Sequence, residues 1–219
     1  MVIAALVVSI VAAVEAAASA WYARRSDRSA ARSADAAATT AALDLQRRNA
    51  ELTPHIRVTC QPWNSGSDKL RLGLFLSGPP ELERLDELIV TVRNDNLGRS
   101  QARPLAGGPT PEQVAAHIWG PYRFVPATGP DADPARGIPG ADPTGRRTPT
   151  NGMPVGEELI FCLEPTPPPP WSHQNPEDWR QERGTVLRLK LECRRDGRTP
   201  WTLTTEVDTD GNLNTIEVP

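Results

Sequence analysis

Two periods of apolar residues divide this chain. From Met1 to Tyr22 only Glu15 interrupts a run of Ala, Val, Ile, Leu and Ser. A helix of about twenty such residues, rising ~1.5 Å each, matches the ~30 Å hydrocarbon core of a bilayer, so residues 1–22 are expected to form a transmembrane helix. From Ala23 to Leu52 there is neither Gly nor Pro, and good helix formers dominate. The helix is therefore expected to run on as a stalk over 23–53, ending where Pro54 pushes Thr53 out of helical geometry.

Beyond Pro54 the period falls to two, the signature of half-buried strands. His55–Cys60 and Leu70–Leu76 alternate, Leu85–Arg93 contains the run Leu88-Ile89-Val90-Thr91-Val92, and the three read as consecutive strands of one antiparallel sheet, closed by the turn formers Asn94-Asp95-Asn96. His117–Trp119 and Tyr122–Val125 read as a strand bent at Gly120-Pro121 and placed at a sheet edge. Glu157–Leu163 puts Leu159, Phe161 and Leu163 on one face. Val186–Cys193 and Pro200–Val207 flank an Asp196-Gly197 turn as a hairpin, and Leu213–Val218 is a last short strand.

Between these strands, Thr110-Pro111-Glu112-Gln113 has the form of a capping box with Pro at the first helical position. Residues 126–152, rich in Gly, Pro and Asp, are expected to be a long surface loop. Seven or eight short strands without a second long helix predict a mainly β chain. The fold class expected is an N-terminal transmembrane helix and helical stalk followed by an antiparallel immunoglobulin-like β-sandwich over 54–219.

The flanks of the first helix set its expected orientation. Ala18-Ser19-Ala20 looks like a signal-peptidase site, yet no basic residue precedes the apolar run, whereas Arg24, Arg25 and Arg28 follow it. That asymmetry favours an uncleaved anchor over a secretory signal or a soluble Ala-rich helix, and it holds the following chain in the cytoplasm. Trp21 and Tyr22 stand where an interfacial aromatic pair belongs. The expected location is the cell membrane, with lipid contact through the helix. Ala5, Ser9, Ala13 and Ala17 recur every four residues, a spacing that lets helices approach closely and makes helix 1–53 a candidate for homo-oligomerisation.

Charge excludes little except a nucleic-acid surface. The formal net charge is −3, and residues 54–219 hold eighteen Lys and Arg against twenty-two Asp and Glu. Cys60, Cys162 and Cys193 each fall in a strand-like run, as small buried hydrophobes in a reducing compartment do. Were the domain exported, Cys60 and Cys193 would be the expected pair.

No catalytic or cofactor motif emerges. Asp208-Thr209-Asp210-Gly211-Asn212-Leu213-Asn214 spaces oxygen ligands as a calcium loop does, but Leu213 and Pro219 stand where the Gly and the bidentate Glu belong, so a hairpin turn is expected. His55, His117 and His173 are too scattered for zinc. The carboxylate pairs Glu157-Glu158 and Glu81-x-Glu83 sit at a strand start and in a turn, where solvated charge is usual. The segment with most functional colour runs from Pro167 to Trp179, four prolines and two tryptophans in a loop. Trp171, His173 and Trp179 are the candidate contacts for a protein partner; the alternative is that the segment covers the open end of the sandwich.

An Ala-rich span ending in Trp-Tyr-Ala-Arg-Arg, an Ala-rich stalk, Leu88–Asp95, Trp119–Phe124 and Cys193–Gly197 together resemble uncharacterised membrane-anchored proteins of high-GC actinobacteria. The resemblance covers most of the chain and implies the architecture alone. The expected function is a non-enzymatic protein-interaction or scaffold module, single-pass and membrane-anchored, with no cofactor. The alternatives are an envelope-facing accessory domain or an enzyme with its site on the sandwich loops. A cytoplasm-only reporter fused to the carboxyl end is expected to be active; activity of a periplasm-only reporter there overturns the orientation.

Overall fold

The computed structural model describes residues 2–64, 66–93, 108–126, 140–210 and 214–218, without the side chains of 2–20, 23, 24, 27–29 and 214. The chain divides into two compact units, Met1–Glu51 and Leu52–Pro219.

The first unit is one helix, α1, over Val2–Glu51, about 75 Å long at the α-helical rise. It stops ahead of Pro54, as the restriction on the residue before proline requires. Among the described residues no helix is long and apolar enough to cross a membrane. The span expected over 1–22 rests on side chains 2–20, which lie outside the described ones. Near its end Trp21 and Tyr22 meet edge to face at 5.0 Å, with the Arg25 guanidinium 5.4 Å from the Trp21 ring. Leu43 and Leu45 are exposed, two residues apart and so on different sides of the helix.

The second unit is two antiparallel sheets. The first has the order β4-β6-β2-β1-β9, formed by Tyr122–Phe124, Glu158–Pro165, Leu70–Gly78, His55–Pro62 and Asn214–Val218. The second has the order β5-β3-β7-β8, formed by Arg147–Pro154, Arg84–Val92, Val186–Arg194 and Trp201–Asp208. A single apolar cluster draws on both. Leu70, Leu72, Leu74 and Leu76 of β2 share it with Leu187, Leu189, Leu191 and Cys193 of β7. In register, Leu72 stands between Cys60 and Phe161, and Leu191 between Val90 and Leu203. Strict alternation in these two central strands gives each sheet one dry face.

Two expectations need correcting. The first three strands do not form one sheet. β1 and β2 pair as a hairpin, but a 3-10 turn at Pro80–Leu82, with Leu82 fully buried, carries the chain across to start β3 in the opposite layer. Residues 126–152 are not all loop, because Arg147–Pro154 is β5. Its inward positions are threonines, Thr148 and Thr150, whose hydroxyls donate to the carbonyls of Gly140 (3.3 Å) and Leu88 (3.1 Å). Hydrogen bonding to backbone lets a hydroxyl occupy an inward position, and it hides the apolar period from a sequence reading. Pro149 and Pro154 are exposed on this edge strand. Gly152, at φ +79°, breaks the alternation, so that Met153 is buried as well as Thr150. Asn94-Asp95-Asn96 lies outside the described residues.

The turn that leads into β5 is built around Asp142, whose Oδ1 accepts from the Thr144 and Arg146 amides, each at 3.0 Å. Gly145 closes it at φ +74°, its carbonyl accepting from the Phe124 amide at 2.8 Å. A Cβ at Gly145 would run into the Phe124 carbonyl oxygen. Gly145→Ala is therefore expected to lower stability by about 1–3 kcal/mol, read as a reduced urea midpoint. Gly156→Ala, at φ +90° in open space, should lose less.

Candidate functional site

The Pro/Trp segment and the chain around β4 meet at one end of the first sheet. Here the capping box forms in full: Thr110 Oγ1 accepts from the Gln113 amide (3.2 Å) and Gln113 Oε1 accepts from the Thr110 amide (2.8 Å). It starts a short helix, α2, over Pro111–Ala116. His117 caps the end of α2 in extended geometry. The strand expected over His117–Trp119 does not form, and only Tyr122–Phe124 pairs, as edge strand β4. Ile118 enters the main core, while His117 and Trp119 turn the other way into a second cluster.

That cluster is completed from the far side of β6. Thr166 follows β6, its amide donating to the Pro121 carbonyl at 3.1 Å. The chain turns at Pro169–Ser172, where the Ser172 amide donates to the Pro169 carbonyl at 2.8 Å. It then enters a helix unforeseen from sequence, α3, over Pro176–Glu182. Asn175 is its N-cap, Oδ1 accepting from the Glu177 amide at 3.1 Å, and Pro176 occupies the first turn. From α3 Trp179 points inward, 1% exposed, its indole N–H donating to the Thr166 carbonyl at 3.0 Å. Arg183 donates through Nη1 to the same carbonyl (2.6 Å) and to that of Pro121 (2.8 Å), and through Nε to the Trp179 carbonyl (3.1 Å). One side chain thus ties β4, β6 and α3 together through backbone acceptors.

His117 lies among three indoles, its ring centroid 4.9 Å from Trp119, 5.7 Å from Trp171 and 5.8 Å from Trp179, all inclined as aromatic quadrupoles prefer. Burial, then the positive charge of Arg123, Arg183 and Arg146, pushes its pKa down to about 4. The imidazole is therefore neutral at physiological pH. Arg146 donates to the carbonyls of Ala115 (2.9 Å) and His117 (3.3 Å). Arg123 is paired with Glu164, Nη2 to Oε1 at 2.6 Å. Burial also lowers the Arg183 guanidinium to about 10. Beside the cluster opens a cleft of about 300 Å3 whose walls include His117, Arg123, Thr166, Pro167, Pro170 and Trp171.

Of the three expected partner contacts, Trp179 is spent inside the molecule, Trp171 is half-buried against His117 on the wall of the cleft, and His173 is exposed. His117, Thr166 and Arg183 were not foreseen. The His-x-Trp pair ahead of Gly-Pro and the Asn-Pro-Glu-Asp start of α3 are the signals that point to them. Elsewhere, Glu158 meets Arg71 at 3.4 Å and Glu83 meets Arg195 at 3.0 Å across strands. Asp208 Oδ1 accepts from the Asp210 amide at 3.0 Å in a local turn; residues 211–213 lie outside the described ones. Among the described residues no three His, Cys, Asp or Glu side chains converge on a metal position. Cys60, Cys162 and Cys193 are buried thiols that form no disulfide, and burial pushes the Cys60 thiol up to about 11 and that of Cys193 to about 12. No family model matches the chain, and no curated protein or solved structure matches it significantly.

The cluster carries a pH dependence of fixed sign. His117 has a lower pKa folded, about 4, than its ordinary 6.5, so the unfolded chain binds the proton more readily. The stabilisation is complete above about pH 6.5 and is lost as pH falls toward about 4. A falling thermal midpoint between about pH 6.5 and 5 is expected, and His117→Gln should flatten that limb.

Proposed function

We propose that this protein is a non-enzymatic interaction module: an immunoglobulin-like sandwich held at a membrane by its long helix, which engages a protein partner through the Pro/Trp segment. The immunoglobulin-like assignment is supported by strand order. With β1, β2, β3, β4, β6, β7 and β8 taken as A to G, the sheets read D-E-B-A and C-F-G, with β5 outside C and β9 outside A. The likeness is one of connectivity, since β2, in the B position, carries no cysteine. The tether, with the domain on the cytoplasmic side, rests on the residue order of the opening run.

One observation carries the interaction reading. The Pro/Trp segment is anchored from beneath by Trp179 and Arg183 while Pro167 and Pro170 stay exposed and Trp171 half-exposed. Proline and indole surfaces held in place in advance lose little conformational entropy when a partner covers them. Loops at the end of a sandwich are also where such folds carry recognition.

Substitution separates anchor from contact. Trp179→Ser should cost about 3–5 kcal/mol, as for removal of a buried tryptophan. Trp171→Ser should keep most of the thermal stability and lose the partner recovered by cross-linking from detergent-solubilised membranes. Recovery of the same partner by folded Trp171→Ser counts against the proposal.

A further inference from the structure

We propose that the cleft beside His117 is a binding site for a small aryl carboxylate, its ring laid against Trp171, Pro167 and Pro170 and its carboxylate taken by His117 Nε2 and the Thr166 hydroxyl. Both residues line the cleft. Thr166 is 3% exposed, and its Oγ1 and the Nε2 of His117 are buried without a hydrogen-bond partner in the protein. Leaving such a group unpaired is costly, and two of them on residues that line one cleft call for a ligand that answers both. The walls otherwise offer indole, pyrrolidine and aliphatic surface, the usual lining of a small-molecule site, with a few polar groups to fix orientation.

The polar groups select the ligand's charge. Arg146 Nε, on the residue that donates to the His117 carbonyl, is also buried and unpartnered. A hydroxyl can donate as well as accept, a guanidinium N–H can only donate, and an ionised carboxylate is acceptor-only. Around the imidazole stand Arg123 on β4, Arg146 ahead of β5 and Arg183 after α3; Glu164 on β6 engages Arg123, and Asp142 turns its carboxylate to the Arg146 amide. The bonds described for Arg146 and Arg183 go to backbone carbonyls, which leave their charge unneutralised. An anion in the cleft offsets that excess.

The neutral imidazole adds a second signature. With a carboxylate at Nε2 the imidazolium is favoured and the His117 pKa rises by roughly 1–3 from about 4, so at about pH 5 a proton passes from the buffer to His117 as the ligand binds, giving an imidazolium–carboxylate pair. The site shares Trp171 with the proposed partner surface but does not require that a partner exist.

Calorimetric titration of the full-length chain with benzoate, and with benzamide as the neutral counterpart, tests the site. Benzoate should bind with a Kd on the order of 1 mM or tighter, quenching tryptophan fluorescence. At about pH 5 its enthalpy should differ between buffers of low and high ionisation enthalpy by the amount for a large part of one proton, while benzamide binds at least about tenfold more weakly. Thr166→Val, which keeps the shape of the side chain, should weaken benzoate about tenfold or more and leave partner recovery unchanged; His117→Gln should abolish the buffer dependence. Absence of benzoate binding at about 10 mM, equal binding of benzamide, or undiminished binding to folded Thr166→Val overturns the proposal. Loss of partner recovery in Trp171→Ser with no benzoate binding would sink this inference alone.

Discussion

The sandwich depends on two rows of leucine that face each other across its middle. β2 and β7 are each flanked by strands on both sides, and each sends every second residue into the same apolar layer. Each fully buried leucine contributes roughly 1.5–3 kcal/mol relative to exposure, and the ladders on either side satisfy the backbone that carries them. Because the period is two, the outward positions of the same strands are left to charge. Arg188 pairs with Glu206, Lys190 with Glu192 and Arg194 with Glu87 on the wet face of the second sheet. Exposed pairs of this kind contribute little to stability; they make the outer face unmistakably the one for water.

The end of the molecule that holds the candidate site uses a different device. Past the short β4 there is too little strand to hold the chain by ladder bonds, and Arg183 supplies the donors instead, to Pro121, Thr166 and Trp179. Burying a guanidinium against carbonyls rather than a carboxylate leaves its charge in place, and this is part of why His117 is held neutral. The electrostatics of the cleft therefore follow from how the loop is fastened. Trp179 and Arg183 act as scaffold, and Trp171, Thr166 and His117 are what the scaffold presents.

Much of this was legible in the sequence, and what was not has a physical reason. Strands with apolar residues at every second place, β1, β2, β6, β7 and β8, stand out because burial demands that pattern. The capping box of α2 is readable because its two hydrogen bonds are local. β5 is hidden because Thr148 and Thr150 replace aliphatics and satisfy their hydroxyls on distant backbone. α3 is obscured by the prolines ahead of it, although Asn175 and Pro176 mark its start. The jump of β3 to the second sheet is invisible locally, since hairpin and crossover both leave β2 through a Gly-Pro-Pro turn. Of the site, the tryptophans could be named from sequence, but not their division of labour. Which indole is buried depends on Thr166 and Pro121, 13 and 58 positions from Trp179.

The prolines of β5 bear on a hazard common to all open sheets. β5 is an outer strand, and an outer strand presents a row of unused amide donors to which another chain can add. Pro149 faces Ile89 in the ladder and has no amide hydrogen to offer, and Pro154 at the end of the strand has none either. The second sheet is thereby blunted on that flank against recruitment of a further strand, a safeguard suited to any crowded setting in which copies of the domain meet edge to edge.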